Sequence, residues 1–284
     1  MGSINVTKAS GETESYDESK LHRSLANAGA NQQIIDKIAD AIDEILYDGI
    51  STQKIYREAF RLLKKHSNRS AGRYKLKEAL FELGPTGYPF EKFTAELLNR
   101  LGYSTEVGQI IEGNCVSHEI DVIAEKGDDF FIIECKFHNR KDHKCNVKVP
   151  LYIQSRFEDV KRKWSRQPGH KGKGHHGWVV TNTRFTDDAQ QYGKCIGLNL
   201  LSWDYPKNNG LKDLISRVNL HPVTCLSTLK SDEKKKLLEQ DIVFCQQLAE
   251  NKKLLNNMGW NSRKAGDIYR EAKAVASFNN KSNE

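Results

Sequence analysis

Hydrophobic residues recur at helical spacing through the first part of the chain. Apolar positions one turn apart predict a helix at 18–28, and Asp17 before it is a residue type that caps helices. The same spacing predicts three further helices, at 32–46, 51–65 and 69–83. A short alternating stretch at 4–8 predicts a strand. We therefore expect a small, mostly helical domain over residues 1–84.

In the middle of the chain, short apolar strands alternate with helices. The predicted strands are at 103–111, 120–123, 131–136, 177–182 and 198–203. The predicted helices are at 88–101 and 149–163 and from Thr186 onwards. This order predicts a mixed sheet flanked by helices at 85–206. Helical spacing returns at 207–284 and predicts a helical C-terminal domain, so the expected fold class is α/β, more closely α+β.

Composition narrows the class of protein. No apolar run in the 284 residues approaches the ~20 needed to cross a bilayer, and the N-terminus lacks the apolar core of a signal peptide. We therefore expect a cytoplasmic protein with no membrane partner. The six cysteines are dispersed without a C-x-x-C pair, which argues against zinc-ligand spacing and favours reduced thiols.

The formal net charge is +7, and most of the excess lies between Lys136 and His176. A basic cluster of this kind favours a polyanionic partner, and DNA is the one we expect. The candidate nucleic-acid contacts in this segment include Lys161, Arg162, Lys171 and Lys173. A solvated loop without a partner remains the alternative.

Two apolar strands joined by a polar turn carry the main candidate chemistry. Asp121 lies on the first strand, and the second strand ends in Glu134 and Lys136, which share a face because side chains alternate along a strand. A hairpin would bring Asp121 beside them. Two carboxylates suit a hard ion such as Mg²⁺, and the lysine could orient or deprotonate a water or offset charge on a phosphate. The alternative is a half-buried hairpin whose polar residues face solvent.

The motif order in this region resembles the PD-(D/E)xK nuclease superfamily, nearest to Mrr-type restriction endonucleases, over residues 85–205. The matching motifs are Phe90-Glu91, Glu119-Ile-Asp121, Glu134-Cys-Lys136 and Val180-Thr-Asn182-Thr-Arg-Phe185-Thr186-Asp-Asp-Ala189. The last motif is the most specific one, because it follows a correctly placed Asp…Glu-x-Lys.

The resemblance implies metal-assisted hydrolysis of DNA phosphodiester bonds. Asp121, Glu134 and the carbonyl of Cys135 would hold Mg²⁺ or Mn²⁺, and Glu91 would bind a second ion or orient its water. Lys136 would position the attacking water and stabilise the transition state.

Three residues near this motif each have two possible interpretations. Gln154 and Arg156, on the predicted helix after Lys136, are expected either to contact the scissile phosphate or to lie on an ordinary helix surface. Glu119 lies on the same face of the strand as Asp121, so it could also face the site. The alternative is a strand residue that faces solvent.

The N-terminal region resembles an ATP-cone domain, a small nucleotide-binding regulatory module, over about residues 3–83. The matching stretches are Val6-Thr-Lys8-Ala-Ser-Gly11, Tyr16-Asp17-Glu-Ser-Lys20-Leu21, Ser51-Thr52-Gln-Lys-Ile55-Tyr56 and Arg73-Tyr74-Lys-Leu-Lys-Glu-Ala79. The positions that correspond to nucleotide contacts are Lys8, Glu14, Lys20 and Thr52.

The resemblance implies ATP or dATP as an effector. The family usually has an arginine where this chain has Ala9, which predicts weaker binding, a changed nucleotide preference or a purely structural domain. No G-x-x-x-x-G-K-[ST] run occurs in the sequence, so any ATP is expected to be an effector and not a fuel.

The C-terminal region resembles a helix-hairpin-helix pair, a kind of module that binds the DNA backbone. Asp241 replaces the hairpin glycine, so a packing or dimerisation role remains equally open. We expect a homo-oligomer.

Taken together, the sequence predicts a divalent-metal-dependent DNA endonuclease that ATP or dATP regulates, in restriction or defence against foreign DNA. The alternative is a nucleotide-responsive DNA-binding protein with a silent nuclease core, against which the intact Asp121, Glu134 and Lys136 count. A regulator of the ribonucleotide reductase type would leave most of the chain unexplained.

Overall fold

The computed structural model of the protein describes residues 4–8 and 11–277. The chain divides into two compact units: residues up to Ala79 together with the segment from Asn219 onwards, and the continuous stretch Leu80–Val218. This division differs from the expected one, which starts a separate C-terminal domain at 207. Long-range packing causes the difference, because the last helix of the chain packs against the helix that carries Arg73.

The N-terminal part of the first unit is a small sheet covered by helices. The elements are β1 (Asn5–Thr7), β2 (Thr13–Ser15), α1 (Glu18–Asn27), α2 (Gln32–Asp43), β3 (Ile50–Ser51), α3 (Thr52–His66), α4 (Asn68–Tyr74) and α5 (Leu76–Phe81). β1 pairs antiparallel with β2 and parallel with β3. Asp17 caps α1 as predicted, since its carboxylate accepts a 3.0 Å hydrogen bond from the backbone N–H of Ser19. The single helix predicted at 69–83 is two helices, α4 and α5.

The C-terminal segment of the first unit is helical. Its elements are α10 (Ser231–Glu239), α11 (Cys245–Glu250) and α12 (Ser262–Ala276), with 3₁₀ turns at Val223–Cys225 and Lys252–Met258. α12 packs against α4. Arg73 donates to the Asn219 side chain at 2.5 Å, and the Thr224 hydroxyl donates to the Ala79 carbonyl at 2.7 Å. Asp241 has a φ of 59°, the left-handed conformation that a hairpin glycine would supply.

The second unit is a mixed five-stranded sheet flanked by helices. Its elements are α6 (Tyr88–Arg100), β4 (Ser104–Glu112), β5 (Ser117–Lys126), β6 (Asp129–Lys136), β7 (Lys144–Cys145), α7 (Lys148–Trp164), β8 (Gly174–Thr181), β9 (Arg184–Phe185), α8 (Asp187–Ile196), β10 (Asn199–Leu201) and α9 (Leu211–Val218). The strand order is β10-β8-β6-β5-β4, in which β4, β5 and β6 are antiparallel and β8 and β10 run parallel to β6. The predicted α/β fold class is confirmed.

Helices fix the positions of the chemical groups on this sheet. α6 packs against β4, β5 and β6, with Phe90 and Phe93 completely buried. α7 packs against β8 and β4, and its Phe157 and Val160 join a core cluster with Ile120 and Ile132. Within the described residues, none of the helices combines the length and apolar character that crossing a membrane requires.

Candidate active site

The end of strand β6 brings together three of the predicted catalytic residues. The Asp121 carboxylate on β5 accepts a 2.7 Å hydrogen bond from the backbone N–H of Cys135, and the Lys136 ammonium forms an ion pair with Glu134. Glu134 is only 5% exposed. The alternative of a hairpin whose polar residues simply face solvent therefore does not hold for this carboxylate.

Glu91 joins this group from the first turn of α6. Burial, followed by the charges of Asp121, Glu119 and Glu134, raises the pKa of Glu91 to about 7. Burial and the charge of Glu134 raise the pKa of Asp121 to about 6. Mutual repulsion among these side chains shows that the carboxyl groups lie within electrostatic reach of one another in a partly desolvated place.

Lys136 acts as a cation here. Burial alone would lower its pKa, but the ion pair with Glu134 and the charge of Asp121 raise it above the ordinary value. A lysine with a raised pKa stays protonated at neutral pH, so it can orient a water or stabilise a negative charge but cannot serve as the base.

Arg156 on α7 reaches the other oxygen of Glu134. Its guanidinium pairs with that carboxylate and also donates to the Glu119 carbonyl at 3.1 Å. The residue predicted to contact a phosphate is thus paired with one of the predicted catalytic carboxylates. Gln154 instead donates to Glu158 at 3.0 Å along the helix.

The donor set fits a hard divalent ion only in part. Among the described residues, no group of three or more His, Cys, Asp or Glu side chains is arranged to hold a metal ion. The half-buried, mutually repelling carboxyls Glu91 and Asp121, however, are the kind of oxygen donors that Mg²⁺ uses, and Mg²⁺ binds through one or two carboxylates while it keeps several waters. The donor atoms of these two residues therefore suit such an ion.

The Val-Thr-Asn motif at the end of β8 holds the backbone that follows Lys136. The Thr181 hydroxyl donates to the Lys136 carbonyl at 2.7 Å. The Asn182 side chain exchanges two hydrogen bonds of 2.9 Å with the backbone of His138. The sequence singled out this motif without assigning it a task; its task in the structure is to fix the strand end that carries Glu134 and Lys136.

The structure separates the predicted basic contacts. Lys171 and Lys173 precede β8, whose first residue pairs with Asp129, so they lie at the opposite end of β6 from Glu134. Lys173 is close to Glu125, at 3.6 Å, and stands over the Phe130 ring. These two lysines are therefore not part of the cluster around Glu134, and their predicted contact with nucleic acid stays a prediction.

Two further predicted contacts lie on the second half of α7. Lys161 covers the Phe157 ring, with its ammonium 5.4 Å from the ring centre. Arg162 is exposed and lines a groove that also includes Arg156 and Gln154.

The four candidate nucleotide contacts lie together in the first unit. Glu14 bridges two of them, because its carboxylate lies 2.9 Å from the Lys8 ammonium and 3.1 Å from the Lys20 ammonium. These lysines lower the pKa of Glu14. Thr52 begins α3, and the residue before it, Ser51, pairs with Thr7, next to Lys8. Two lysines at a helix N-terminus suit phosphate groups, whereas Ala9 lies outside the described residues.

Raising the pH from about 5.5 to about 8 is expected to destabilise the folded protein through Glu91 and Asp121. Their pKa values rise from 4.5 to about 7 and from 3.8 to about 6, so between these values the folded chain binds more protons than the unfolded chain. The contribution of these two carboxyls to the free energy of unfolding therefore falls as the pH rises, and each 1 kcal/mol lost lowers Tm by ~2–4 °C. His138 and His221 act in the opposite direction, because burial lowers their pKa values to about 4 and about 3, so the effect of the carboxyls is read from the difference between variants. Thermal unfolding at both pH values, without divalent ions, measures the effect.

Two variants on α6 make this measurement specific. Glu91→Gln removes one titrating group, so its change in Tm from pH 5.5 to pH 8 should be more positive than that of the unsubstituted protein. Glu96→Gln, on the same helix and paired with Arg100, serves as the control and should show the same change in Tm as the unsubstituted protein. An equal change in the unsubstituted protein and in Glu91→Gln would contradict the expectation.

Comparisons with known proteins agree with this arrangement. Three family models match: an ATP cone domain at residues 4–76, a restriction endonuclease domain at 85–205 and an AF1548-like C-terminal domain at 221–276. An uncharacterized protein of Archaeoglobus fulgidus is 35% identical over 184 residues, which are 64% of this chain and 98% of that protein.

Two solved structures are also similar. The crystal structure of the protein of unknown function AF1548 has 32% identity and a TM-score of 0.56, and the match covers 67% of this chain and 98% of that one. The MspJI restriction endonuclease in complex with a 27-mer oligonucleotide has 12% identity and a TM-score of 0.33, over 61% of this chain and 36% of that one. The chain therefore belongs to the AF1548-like family, and in it an ATP-cone domain is fused to a restriction endonuclease-like domain.

Proposed function

We propose that the protein is a divalent-metal-dependent DNA endonuclease of the PD-(D/E)xK type. The observation that carries the proposal is the convergence of Asp121, Glu134 and Lys136 at the end of β6, with Glu91 in electrostatic reach. The match of residues 85–205 to a restriction endonuclease model supports the same reaction class.

Each residue has a task in phosphodiester hydrolysis. Asp121, Glu134, the Cys135 carbonyl and Glu91 would hold Mg²⁺ or Mn²⁺, which when bound supplies Lewis acidity and lowers the pKa of a bound water. Lys136, which stays protonated, stabilises the charge that develops on the phosphate and orients the attacking water.

Glu91 would bind the ion or orient its water. Its pKa of about 7 belongs to the metal-free site, and a bound divalent ion would lower it and favour the ionised carboxylate. Glu134, by contrast, is held in one orientation by Lys136 and Arg156 on its two oxygens.

Nicking or cutting of plasmid and linear DNA with Mg²⁺ or Mn²⁺, and its loss with EDTA, tests the proposal. Binding of DNA without cutting under any of these conditions would instead favour the nucleotide-responsive DNA-binding protein with a silent core.

We further propose that ATP or dATP binds in the first unit and regulates the cutting. Lys8, Lys20 and the N-terminus of α3 at Thr52 supply positive charge for phosphates, and residues 4–76 match the ATP cone model. A role in restriction or defence against foreign DNA follows from this pairing of domains, and it is tested by plating phage on cells with and without the protein.

Replacing Lys8 with alanine is expected to weaken nucleotide binding by about 10-fold or more, since a hydrogen bond to a charged group contributes ~1.5–3 kcal/mol. Titration calorimetry with ATP, dATP and ADP measures the change. Lys37→Ala, which removes an exposed lysine from α2, is the control and should bind like the unsubstituted protein. Equal affinities for the Lys8 variant and the control would reject the site.

A further inference from the structure

A groove runs beside the candidate active site, between α7 and the turn that joins β4 to β5. Its walls include Tyr152, Arg156 and Arg162 from α7, Val116 from the turn and His118 from the start of β5. Arg156 joins the groove to the catalytic cluster, because the same guanidinium donates to the Tyr152 hydroxyl at 3.2 Å and pairs with Glu134. A ligand on Tyr152 would therefore lie within a nucleotide's reach of Glu134.

The turn wall of this groove is held in place by one residue of α7. The Asp159 carboxylate accepts from the backbone N–H of Cys115 at 2.9 Å and of Val116 at 3.3 Å, and it pairs with His118 at 2.8 Å. The fit is close, since a Cβ on Gly113 would come within 2.1 Å of the same carboxylate. The hydrogen bonds of Asp159 thus connect the two walls of the groove, α7 and the turn between β4 and β5. The shape of the groove therefore does not depend on a free loop.

Two large apolar side chains are nevertheless exposed along this groove. Tyr152 is 58% exposed and Val116 is 61% exposed. The Arg156 guanidinium lies 5.1 Å from the centre of the Tyr152 ring. One face of the ring is therefore covered by a cation, while more than half of the residue remains open to a ligand.

The groove combines basic and acidic side chains with an exposed ring. Its two carboxylates have partners in the wall, since Glu158 accepts from Gln154 at 3.0 Å and Asp159 pairs with His118. The arginine next to the ring is Arg156, and Arg162, six residues further along α7, is exposed. Positive charge beside an exposed aromatic ring is the combination by which single-stranded nucleic acid is bound, because every base has a face that stacks.

We propose that this groove binds single-stranded DNA and that Tyr152 stacks on an unpaired base next to the phosphate presented to Glu134. The proposal rests on the endonuclease function and adds its substrate class: DNA that is unpaired at the cutting point. A base inside a duplex is already stacked on its neighbours, so its face is not available to the tyrosine. The groove therefore distinguishes unpaired DNA from duplex DNA, because only an unpaired base has a face free to stack on Tyr152.

Binding in EDTA, where cutting is suppressed, tests this inference on the full chain. The probes are a fluorescein-labelled single-stranded oligonucleotide and the same oligonucleotide as a duplex, followed by fluorescence anisotropy. Tyr152→Ala is expected to weaken single-strand binding by ~10-fold and to leave duplex binding unchanged, given the usual contribution of base–aromatic stacking. Tyr152→Trp should retain single-strand affinity and quench 2-aminopurine placed in that strand.

Tyr47→Ala is the matched control, because Tyr47 is 50% exposed and has the Lys54 ammonium 4.9 Å from its ring centre, but belongs to the first unit. Equal losses by Tyr152→Ala on both probes, or no loss on either, would overturn the inference. If the unsubstituted protein cuts DNA while Tyr152→Ala keeps its single-strand affinity, only this inference fails. If the unsubstituted protein binds neither probe, this inference fails, and if it also leaves DNA uncut with Mg²⁺ or Mn²⁺, the endonuclease proposal fails with it.

Discussion

Replacing Lys136 with alanine is expected to lower the rate of DNA cutting by about 100-fold or more, the usual cost of losing one preorganised charge at a transition state. The lysine is protonated, so its removal takes away one of the two cations, with Arg156, that pair with Glu134. Asp121→Asn should have an effect at least as large, because it removes a negative oxygen donor that the divalent ion needs. The measurement is the single-turnover rate of plasmid nicking with Mg²⁺.

Lys144→Ala is the matched control for these variants. Lys144 is an exposed lysine of the same basic segment, on the short strand β7. It should cut at nearly the rate of the unsubstituted protein. Cutting that survives both Lys136→Ala and Asp121→Asn would reject this cluster as the active site, even if the protein proved to be a nuclease.

Replacing Glu271 with alanine is expected to cause a large loss of stability. The side chain of Glu271 on α12 is buried, and its two oxygens accept from the backbone N–H groups of Ser227 at 2.7 Å and Thr228 at 2.9 Å. Alanine would leave both donors unpaired, at a cost of about 1–3 kcal/mol for each one that water cannot reach. Urea unfolding measures the change in the free energy of unfolding.

The exposed Glu239, at the end of α10, offers the comparison. Glu239→Ala removes a carboxylate from the same segment and should change the free energy of unfolding by less than ~0.5 kcal/mol, as usual for surface substitutions. If Glu271→Ala were as stable as Glu239→Ala, the hydrogen bonds of Glu271 would not hold the segment as described.

The local parts of the candidate site could be predicted from the sequence. Alternation along two apolar strands placed Glu134 and Lys136 on one face and Asp121 on the neighbouring strand, and the spacing of Phe90 and Phe93 placed Glu91 at the start of a helix. The relative positions of these side chains depend only on the periodicity of a strand or helix and on the short loop between two strands. Sequence patterns indicate both directly.

Relations that depend on packing between distant elements could not be predicted. The contact of Arg156 with Glu134 requires the position of α7 across the sheet, which periodicity does not give. Charge predicted Lys171 and Lys173 as nucleic-acid contacts but not their position, which the parallel register of β6 and β8 puts at the opposite end of β6 from Glu134. The return of the chain at Asn219 to complete the first unit is likewise a long-range event.

The discontinuity of the first unit has a consequence for the order in which the protein matures. The ribosome completes Leu80–Val218, with every residue of the candidate active site, before it makes the segment from Asn219 onwards. The interactions that close the first unit, such as those of Thr224 with Ala79 and of Arg73 with Asn219, can form only afterwards. During synthesis the second unit is therefore complete while the first unit is still incomplete. A chain that stops before Asn219 would contain the whole second unit but only part of the first unit.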